Sequence, residues 1–306
     1  MDRLQTMSAF VGVAEEGGFS PAARRLGMSP PSVTRAISEL EARLGCRLFH
    51  RTTRSVHLTE AGERYLGDCR RILAEIDAAD RQAAGIHAEP RGMVSVTGSA
   101  MFGSIIVTPI ILDLLDRYPE LTVSTLFVDR IVHVVDEGID VAVRIADLPD
   151  SSLTAIRVGS VRRVLCASPD YLERHGRPTS PNGLENHEII HFASMAPARE
   201  WVFENDGMEI RHRPSSRLVV NTAAAAINAA ERGRGITRVL SYMIAPQVEA
   251  GSLEILLPEF EPPVVPVHVV HKESGHTSAR VRAVIDHLVQ HLRRHPVLAN
   301  EDGGSA

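Results

Sequence analysis

Cysteine is scarce in this 306-residue sequence, and its spacing excludes two kinds of site. Cys46, Cys69 and Cys166 are far apart and include no C-x-x-C pair, which argues against a disulfide framework or a cysteine zinc site. A reducing cytoplasm is the compartment we expect. No apolar run approaches the length needed to cross a membrane. Charged and small residues interrupt the N-terminal segment, so we expect no signal peptide and no membrane association.

Catalytic and cofactor motifs are also missing. The sequence has no P-loop, no G-x-S-x-G, no H-E-x-x-H and no G-x-G-x-x-G after a strand. No nucleophile has an evident base, so we predict neither enzymatic activity nor a cofactor.

The composition is that of an ordinary globular protein, with 44% apolar and 23% charged residues. Its length allows two or three domains that each bury a core. Positive charge is concentrated locally. Residues 19–58 hold seven arginines against two glutamates, a net charge of +5, whereas the whole chain carries −5. Such a local positive field suits contact with phosphates.

The same stretch, residues 19–58, predicts two short helices, a tight turn and a β wing. We expect the first helix to start at Ser20, a hydroxyl N-cap followed by proline, and to end at Gly27. Ser29 and Pro30 repeat the cap and proline only two residues later. Helices joined this tightly cross in the helix-turn-helix geometry.

The second helix has two distinct faces. Its predicted buried stripe consists of Val33, Ile37, Leu40 and Leu44, and its outer face of Pro31, Arg35, Ser38 and Ala42. A small polar face around one arginine can enter a major groove. In the wing, Leu48 and Phe49 are the expected anchors, and Arg51 and Arg54 lie near the tip. Periodicity alone fits any compact three-helix unit with a solvated arginine face equally well.

Residues 1–76 resemble the N-terminal winged helix-turn-helix of the LysR-type transcriptional regulators. The segment AARRLGMSPPSVTRAISELEARLGCRLFHRTTRSVHLTEAG carries the resemblance. One departure is Pro30, where the family often has glutamine. The resemblance implies that double-stranded DNA is the partner, and the predicted contacts are Ser32, Thr34, Arg35, Ser38, Arg51 and Arg54.

Helices flank this motif on both sides. A leading helix over residues 3–16 should pack on the two that follow. After the wing, Thr59 should cap a long helix that runs to about Ala88. Its apolar and small positions alternate in steps of four and three: Tyr65, Cys69, Ile72, Ile76, Ala79 and Ala83. Such a heptad pattern favours pairing with a second copy, and packing on its own domain is the alternative. We therefore assign residues 1–58 to DNA binding and 59–90 to a dimerisation helix.

Residues 91–300 alternate strands and helices, which predicts an α/β domain with parallel sheets. We expect two lobes with a ligand cleft between them, the first from about 91–160 and 266–300, the second from about 161–265. This part resembles the family's effector domain, which has the fold of type 2 periplasmic binding proteins. The tail, residues 301–306, is expected to be disordered.

Candidate effector contacts start where a strand gives way to a helix. Free N–H groups at a helix start bind anions, so Ser99, Ala100, Met101 and Phe102 are candidates. The sequence alone favours a simple N-cap role for Ser99, whereas the family resemblance favours effector binding at this turn. The resemblance adds further cleft residues: Val128, Asp129, Arg144, Asn221 and Thr222. Arg144 lies in an apolar strand pattern, where a charge needs a partner, either a ligand or an internal salt bridge.

Two other features have structural interpretations. His287, His291 and His295 fall four residues apart, but no acidic neighbour or cysteine is evident in the sequence, so we predict a solvated face and no metal site. Trp201 is the only tryptophan and is predicted to lie in the core of the second lobe.

The leading hypothesis is a cytoplasmic, sequence-specific DNA-binding transcriptional regulator. Its effector should be a small organic acid. The regulator should associate with itself as a dimer or tetramer. The alternative is a cleft enzyme or solute-binding module whose N-terminal part serves only for oligomerisation. The missing signal peptide and the missing nucleophile with a base weigh against that alternative.

Overall fold

A computed structural model describes residues 2–51, 56–83, 89–148, 153–193, 200–272 and 277–298. Arg54 and the tail lie outside the described residues. The contacts divide the chain into two units, Met1–Met93 and Val94–Ala306, which are treated separately below. Within the described part of the chain, every helix is too short or too polar to cross a membrane.

The first unit is a winged helix-turn-helix. Its elements are α1 (Arg3–Glu16), α2 (Phe19–Arg25), α3 (Pro30–Leu44), β1 (Phe49–Arg51), β2 (Val56–Leu58) and α4 (Glu60–Ala83). β1 and β2 pair in antiparallel fashion and form the wing. The leading helix, the tight turn and the hairpin are all present as the sequence predicts.

Two local signals of the motif are confirmed and one is wrong. Ser29 caps α3, since its Oγ accepts the Ser32 N–H at 3.3 Å, and Gly27 adopts the left-handed conformation with φ of 64°. The start of α2 differs from the prediction. Gly18 has the extended backbone of an N-cap residue, so the helix begins at Phe19 and Ser20 falls inside its first turn.

The buried face of α3 follows the predicted stripe except at its end. Three predicted positions are fully buried: Val33, Ile37 and Leu40. They pack in one core with Phe10 and Phe49, whose ring centroids are 5.2 Å apart. Leu44 is 38% exposed, contrary to the prediction. It occupies the last position of the helix, next to Gly45, where the chain turns away and the side chain extends past the core.

The first half of α4 is part of the same domain core. Thr59 caps the helix as predicted, because its Oγ1 accepts the Gly62 N–H at 3.0 Å. Cys69 is fully buried, and Tyr65 and Ile72 pack against the same core. The assignment of Cys69 to a dimer seam is therefore wrong, since its own domain already encloses it. Ile76 is partly exposed. The side chains of two further predicted seam residues, Ala79 and Ala83, lie outside the described residues.

The second unit alternates strands and helices. Its elements in chain order are β3 (Gly92–Gly98), α5 (Ala100–Phe102), a π-helical turn (Gly103–Val107), α6 (Thr108–Arg117), β4 (Leu121–Phe127), β5 (Val141–Ile145), β6 (Leu153–Val161), β7 (Arg163–Ala167), α7 (Pro169–His175), β8 (Ile189–Phe192), β9 (Trp201–Asn205), β10 (Met208–His212), β11 (Ser216–Val220), α8 (Ala223–Glu231), β12 (Ile236–Leu240), α9 (Ala245–Glu249), β13 (Glu254–Leu256), β14 (Val265–Lys272) and α10 (Ala279–Arg294). Short 3₁₀ turns cover Pro181–Asn186, Ser241–Met243, Pro258–Phe260 and Pro296–Leu298.

Two five-stranded sheets organise these elements into two lobes. The first lobe has the strand order β4-β3-β5-β14-β6, and the second has β11-β8-β12-β7-β13. The hairpin of β9 and β10 packs on the second lobe through Trp201 and Phe203. Trp201 is buried in the core of that lobe, as predicted.

The sheets are mixed, whereas the sequence predicted parallel ones. β3 pairs with β5 and β8 with β12 in parallel, but β14 is antiparallel to β5 and β6, and β7 is antiparallel to β12 and β13. Connectivity explains the difference. The chain leaves the first lobe at the end of β6 and returns at the start of β14. β6 runs toward the second lobe and β14 runs back from it. These two neighbouring strands must therefore be antiparallel.

Glu41, on α3, connects that helix to the wing through hydrogen bonds. Its side chain is 6% exposed, and its Oε1 accepts the N–H groups of Leu48 at 2.9 Å and Phe49 at 3.3 Å. Oε2 lies 3.2 Å from Arg47 Nη1. Two buried backbone donors at the start of β1 therefore depend on one carboxylate.

Glu41→Ala should destabilise the protein by about 2–4 kcal/mol, because both N–H groups lose their acceptor in a buried site. Glu41→Gln keeps one oxygen acceptor and should lose less. Asp68→Ala, which removes an exposed i,i+3 partner of Arg71, is the control and should change stability by no more than about 0.5 kcal/mol. Urea unfolding of the three variants measures these differences. A loss for Glu41→Ala no larger than for Asp68→Ala would show that the carboxylate does not hold the wing.

Candidate effector cleft and DNA-binding surface

A cleft of about 500 Å³ separates the two lobes. Its lining comes from the carboxyl ends of the parallel strands β3 and β5 in one lobe and β8 and β12 in the other, together with the loop after β4. The carboxyl ends of parallel strands are the usual ligand sites of such sheets. The volume is that of a pocket for a small molecule.

Four predicted effector contacts line this cleft: Ser99, Val128, Asp129 and Arg144. The helix start after β3 is partly occupied by the protein itself. The Ala100 N–H donates to Asp129 Oδ1 at 2.9 Å. Burial raises the pKa of the nearby Tyr242 phenol, an effect that the Ser99 hydroxyl opposes and the Asp129 charge reinforces. An anion would therefore have to displace a carboxylate to reach the first N–H of this turn.

The remaining predicted contacts do not line the cleft. Phe102 is fully buried and packs edge-on against Tyr242 at a centroid distance of 5.1 Å, so the prediction that it contacts an effector is wrong. Met101 packs against the cores of both lobes. Thr222 instead caps α8, where its Oγ1 accepts the Ala225 N–H at 3.4 Å, and Asn221 next to it is exposed.

Arg144 is partly buried and lines the cleft. Its Nη2 donates to the carbonyl oxygen of Val132. In the described part of the chain, no carboxylate oxygen lies within 4.0 Å of this guanidinium. The internal salt bridge that the sequence left open is thus not found among those residues.

Two further arginines, Arg163 and Arg238, line the cleft from the second lobe. Arg163 pairs with Leu240 across β7 and β12, and Arg238 lies two residues before Leu240, so the two guanidinium groups are diagonal neighbours on one face. Burial, and to a smaller extent the like charge of Arg163, lower the pKa of Arg238 to about 10. Partial burial also lowers the pKa of Arg163, against the opposing charge of Asp147.

Acidic groups in and beside the cleft are engaged by backbone donors or by other arginines. Asp129 lines the cleft and accepts the Ala100 N–H, and Glu137 lies outside the lining but pairs with Arg130, which belongs to it. Glu137 forms two hydrogen bonds with Arg130, at 2.5 and 2.8 Å, which lower its pKa to about 2. Glu200 lies 3.0 Å from both Arg211 and Arg213, and the bond from Arg213 is the larger cause of its lowered pKa. Positive charge is therefore the unbalanced charge of the cleft lining.

The sequence contained the signal for both missed residues. Arg163 stands at the start of the apolar run RVLCA and Arg238 inside ITRVL, the same pattern that drew attention to Arg144. A charge in an apolar strand needs a partner in all three cases. The same signal therefore marks Arg163 and Arg238 as well as Arg144.

The outer face of α3 is open, as predicted. Thr34, Arg35 and Ser38 are exposed, and the Arg35 side chain is 79% accessible. Arg35 Nε lies 2.9 Å from Glu39 Oε1, and Thr34 Oγ1 donates to the Pro30 carbonyl at 3.0 Å. An exposed i,i+4 ion pair is worth only a few tenths of a kcal/mol, so Arg35 can exchange it for another acceptor.

The histidine row on α10 differs from its predicted solvated face. His287 is only 7% exposed, and its Nε2 lies 3.0 Å from Asp113 Oδ2 on α6. His291 Nε2 is 3.6 Å from the same oxygen. The sequence gives no sign of this acidic neighbour, because 174 positions separate Asp113 from His287 along the chain.

Both domains match known protein families. Residues 4–63 match the family described as bacterial regulatory helix-turn-helix protein, lysR family, and residues 87–293 match the LysR substrate binding domain.

Similar full-length proteins have the same two-domain organisation. The chain is 32% identical to the HTH-type transcriptional activator AaeR of Escherichia coli K12 over 293 residues, 95% of this chain and 94% of AaeR. It is 34% identical to an HTH-type transcriptional regulator of Xanthomonas campestris, over 92% of this chain and 83% of that protein. The solved structure of CrgA, a LysR-type regulator from Neisseria meningitidis, is 28% identical, with a TM-score of 0.61 over 94% of this chain and 98% of CrgA.

These matches span the helix-turn-helix and the cleft domain together, and the relatives are named as transcriptional regulators. They rule out the alternative of an enzyme or solute-binding module with an N-terminal oligomerisation domain. The chain belongs to the LysR family of DNA-binding transcriptional regulators with an effector-binding domain.

Proposed function

We propose that this regulator responds to a small organic acid that binds in the cleft between the two lobes. The acid group is recognised by Arg163 and Arg238 from the second lobe and by Arg144 from the first. The protein binds operator DNA through the exposed face of α3, as a dimer that pairs through α4, in the cytoplasm where its DNA target is found.

The unbalanced charge of the cleft carries this proposal. Arg144, Arg163 and Arg238 line one small cavity, and no carboxylate of the described residues lies within ion-pairing distance of any of them. Arg144 and Arg238 are partly buried and Arg163 is exposed, and like charges that line one cavity are unfavourable until an anion neutralises them. Carboxylates bind guanidinium groups through paired, charge-assisted hydrogen bonds.

The rest of the cleft favours an organic acid over an inorganic anion. Its walls include Phe192, Trp201 and Val239, and Arg238 lies over the Phe203 ring at 5.5 Å. Apolar walls with a few convergent polar groups bind the body of a small organic molecule. A sugar would leave the three guanidinium charges without a counter-charge, and a metal cation would be repelled by them.

Arg238→Met is the direct test of the charge assignment. The free variant should unfold at the same temperature as the parent or about 2 °C higher, because an unpaired, partly buried charge is removed. The variant should lose most of the stabilisation that organic acids give the parent, which for an acid at 100 times its dissociation constant is about 2.7 kcal/mol.

A thermal-shift panel of carboxylic acids and their neutral amides measures this effect. Arg232→Met is the matched control, since Arg232 is exposed and hydrogen-bonds Asn228 at 2.9 Å instead of facing the cleft. It should respond like the parent. Equal shifts for acids and amides, or full response of Arg238→Met to acids, would contradict the proposed anion site.

The proposed DNA-recognition helix, α3, offers a second test. Arg35→Ala should cost about 1–3 kcal/mol of operator affinity and relax the preference at one base position, if Arg35 contacts a guanine edge. Binding to random duplex should change much less. Arg177→Ala is the control, because Arg177 forms a similar exposed ion pair, 2.7 Å from Glu254, in the other domain. Fluorescence anisotropy with operator and random DNA makes the comparison, and equal losses on both would mean that Arg35 contacts only phosphate.

Arg51 and Arg54 remain predicted phosphate contacts of the wing. The side chain of Arg51 and the whole of Arg54 lie outside the described residues. Ser32 and Ser38 complete the proposed DNA-facing set on α3, where Ser32 is partly and Ser38 fully exposed.

Self-association through α4 is the third testable part. Ile76→Glu should separate dimers and lower operator affinity, because a charge in an apolar seam would be desolvated and two half-sites would no longer be linked. Gly67→Glu places the same charge at an exposed position of the helix with open space around it, and should leave the oligomer intact. Light scattering distinguishes the outcomes. An unchanged oligomer in folded Ile76→Glu would exclude this seam.

A further inference from the structure

Three potential metal ligands meet on the first lobe, away from the effector cleft. His287 and His291 lie one turn apart on α10, and Asp113 comes from α6. One ligand atom from each residue lies within 4.8 Å of the other two. The imidazole centroids are 4.0 Å apart. Two histidines at i and i+4 present their rings on one helix face, as in known zinc-binding helices.

One nitrogen of each histidine is available to an ion. His291 Nδ1 donates to the His287 carbonyl at 2.9 Å, which leaves Nε2 of that ring facing Asp113. The buried Nε2 of His287 has no hydrogen-bond partner among the described residues.

Both Nε2 atoms face the Asp113 carboxylate. Nε2 of His287 and of His291 lie 3.0 and 3.6 Å from Asp113 Oδ2. An ion bound between these three atoms would give the buried His287 nitrogen the partner that it lacks among the described residues.

The spacing fits a tetrahedral ion. Ligand distances of 2.0–2.1 Å to Zn²⁺ place neighbouring ligand atoms about 3.3 Å apart in a tetrahedron. The two observed nitrogen to oxygen distances fall on either side of this value. Asp113 is 65% exposed and His291 is 38% exposed, so an ion can enter and water can complete the coordination.

We propose that Asp113, His287 and His291 bind a divalent transition-metal ion of the Zn²⁺ class. The site has two imidazole nitrogens and one carboxylate oxygen, a ligand set that suits Zn²⁺ and Co²⁺ better than Mg²⁺ or Ca²⁺. Binding joins α6 to α10, two helices far apart in the sequence, and stabilises the first lobe independently of the effector cleft.

Titration of the tag-free, chelator-treated full-length protein tests this proposal. Zn²⁺ should bind with one equivalent per chain by calorimetry and raise the unfolding temperature by several degrees. Co²⁺ should give the visible absorption bands of a tetrahedral site. All variants should be made in a Cys46→Ser background, since Cys46 is exposed and exposed thiols compete for zinc.

Asp113→Asn and His291→Ala, both at accessible positions, should each weaken Zn²⁺ binding at least 10-fold and abolish the Co²⁺ bands. His287 is too buried for a clean substitution. His295→Ala, one turn further along α10 and outside the cluster, is the control and should bind like the parent. Absence of saturable binding, undiminished binding by Asp113→Asn and His291→Ala, or an equal loss in His295→Ala would each overturn the proposed ligand set.

Discussion

The neighbouring positive charges of Arg163, which is exposed, and Arg238, which is partly buried, are the constraint on which the function of the cleft depends. β7 begins at the cleft, where the chain enters the second lobe, and the antiparallel strand β12 ends beside it. Their arginines therefore lie side by side, and Arg144 faces the same space from the first lobe. The described residues offer these charges no ion-pairing carboxylate. Charge of the opposite sign must come from solvent ions or from a ligand.

Signals confined to a few neighbouring residues were predicted well from the sequence. Ser29 and Thr59 cap their helices, and Gly27 takes the left-handed turn, because each depends on hydrogen bonds and backbone angles within one turn of chain. Amphipathic faces were likewise readable from periodicity, as on α3. The wrong prediction at Ser20 is also local and displaces the helix start by only a residue or two. Gly18, not Ser20, is the extended residue before the helix.

Features that depend on distant parts of the chain were predicted poorly. Cys69 fits a heptad, but periodicity cannot tell whether an apolar stripe faces a second copy or its own domain. Phe102 follows a helix start that resembles an anion site, yet its ring fills the core against Tyr242. Asp113 joins His287 only when α6 packs beside α10. The direction of each strand in its sheet could not be predicted from neighbouring residues either, because it depends on where the chain crosses between the lobes.

An effector can regulate DNA binding only if it binds two states of the protein with different affinity. Linkage then requires the acid to change operator affinity by the same factor as operator DNA changes affinity for the acid. The most direct test of the anion-effector account is calorimetric titration of the full-length protein with a carboxylic acid and its amide, with and without operator DNA. We expect only the acid to bind. Operator DNA should change the dissociation constant of the acid by the same factor by which the acid changes the dissociation constant of the operator. Equal binding of the acid and the amide would contradict the account.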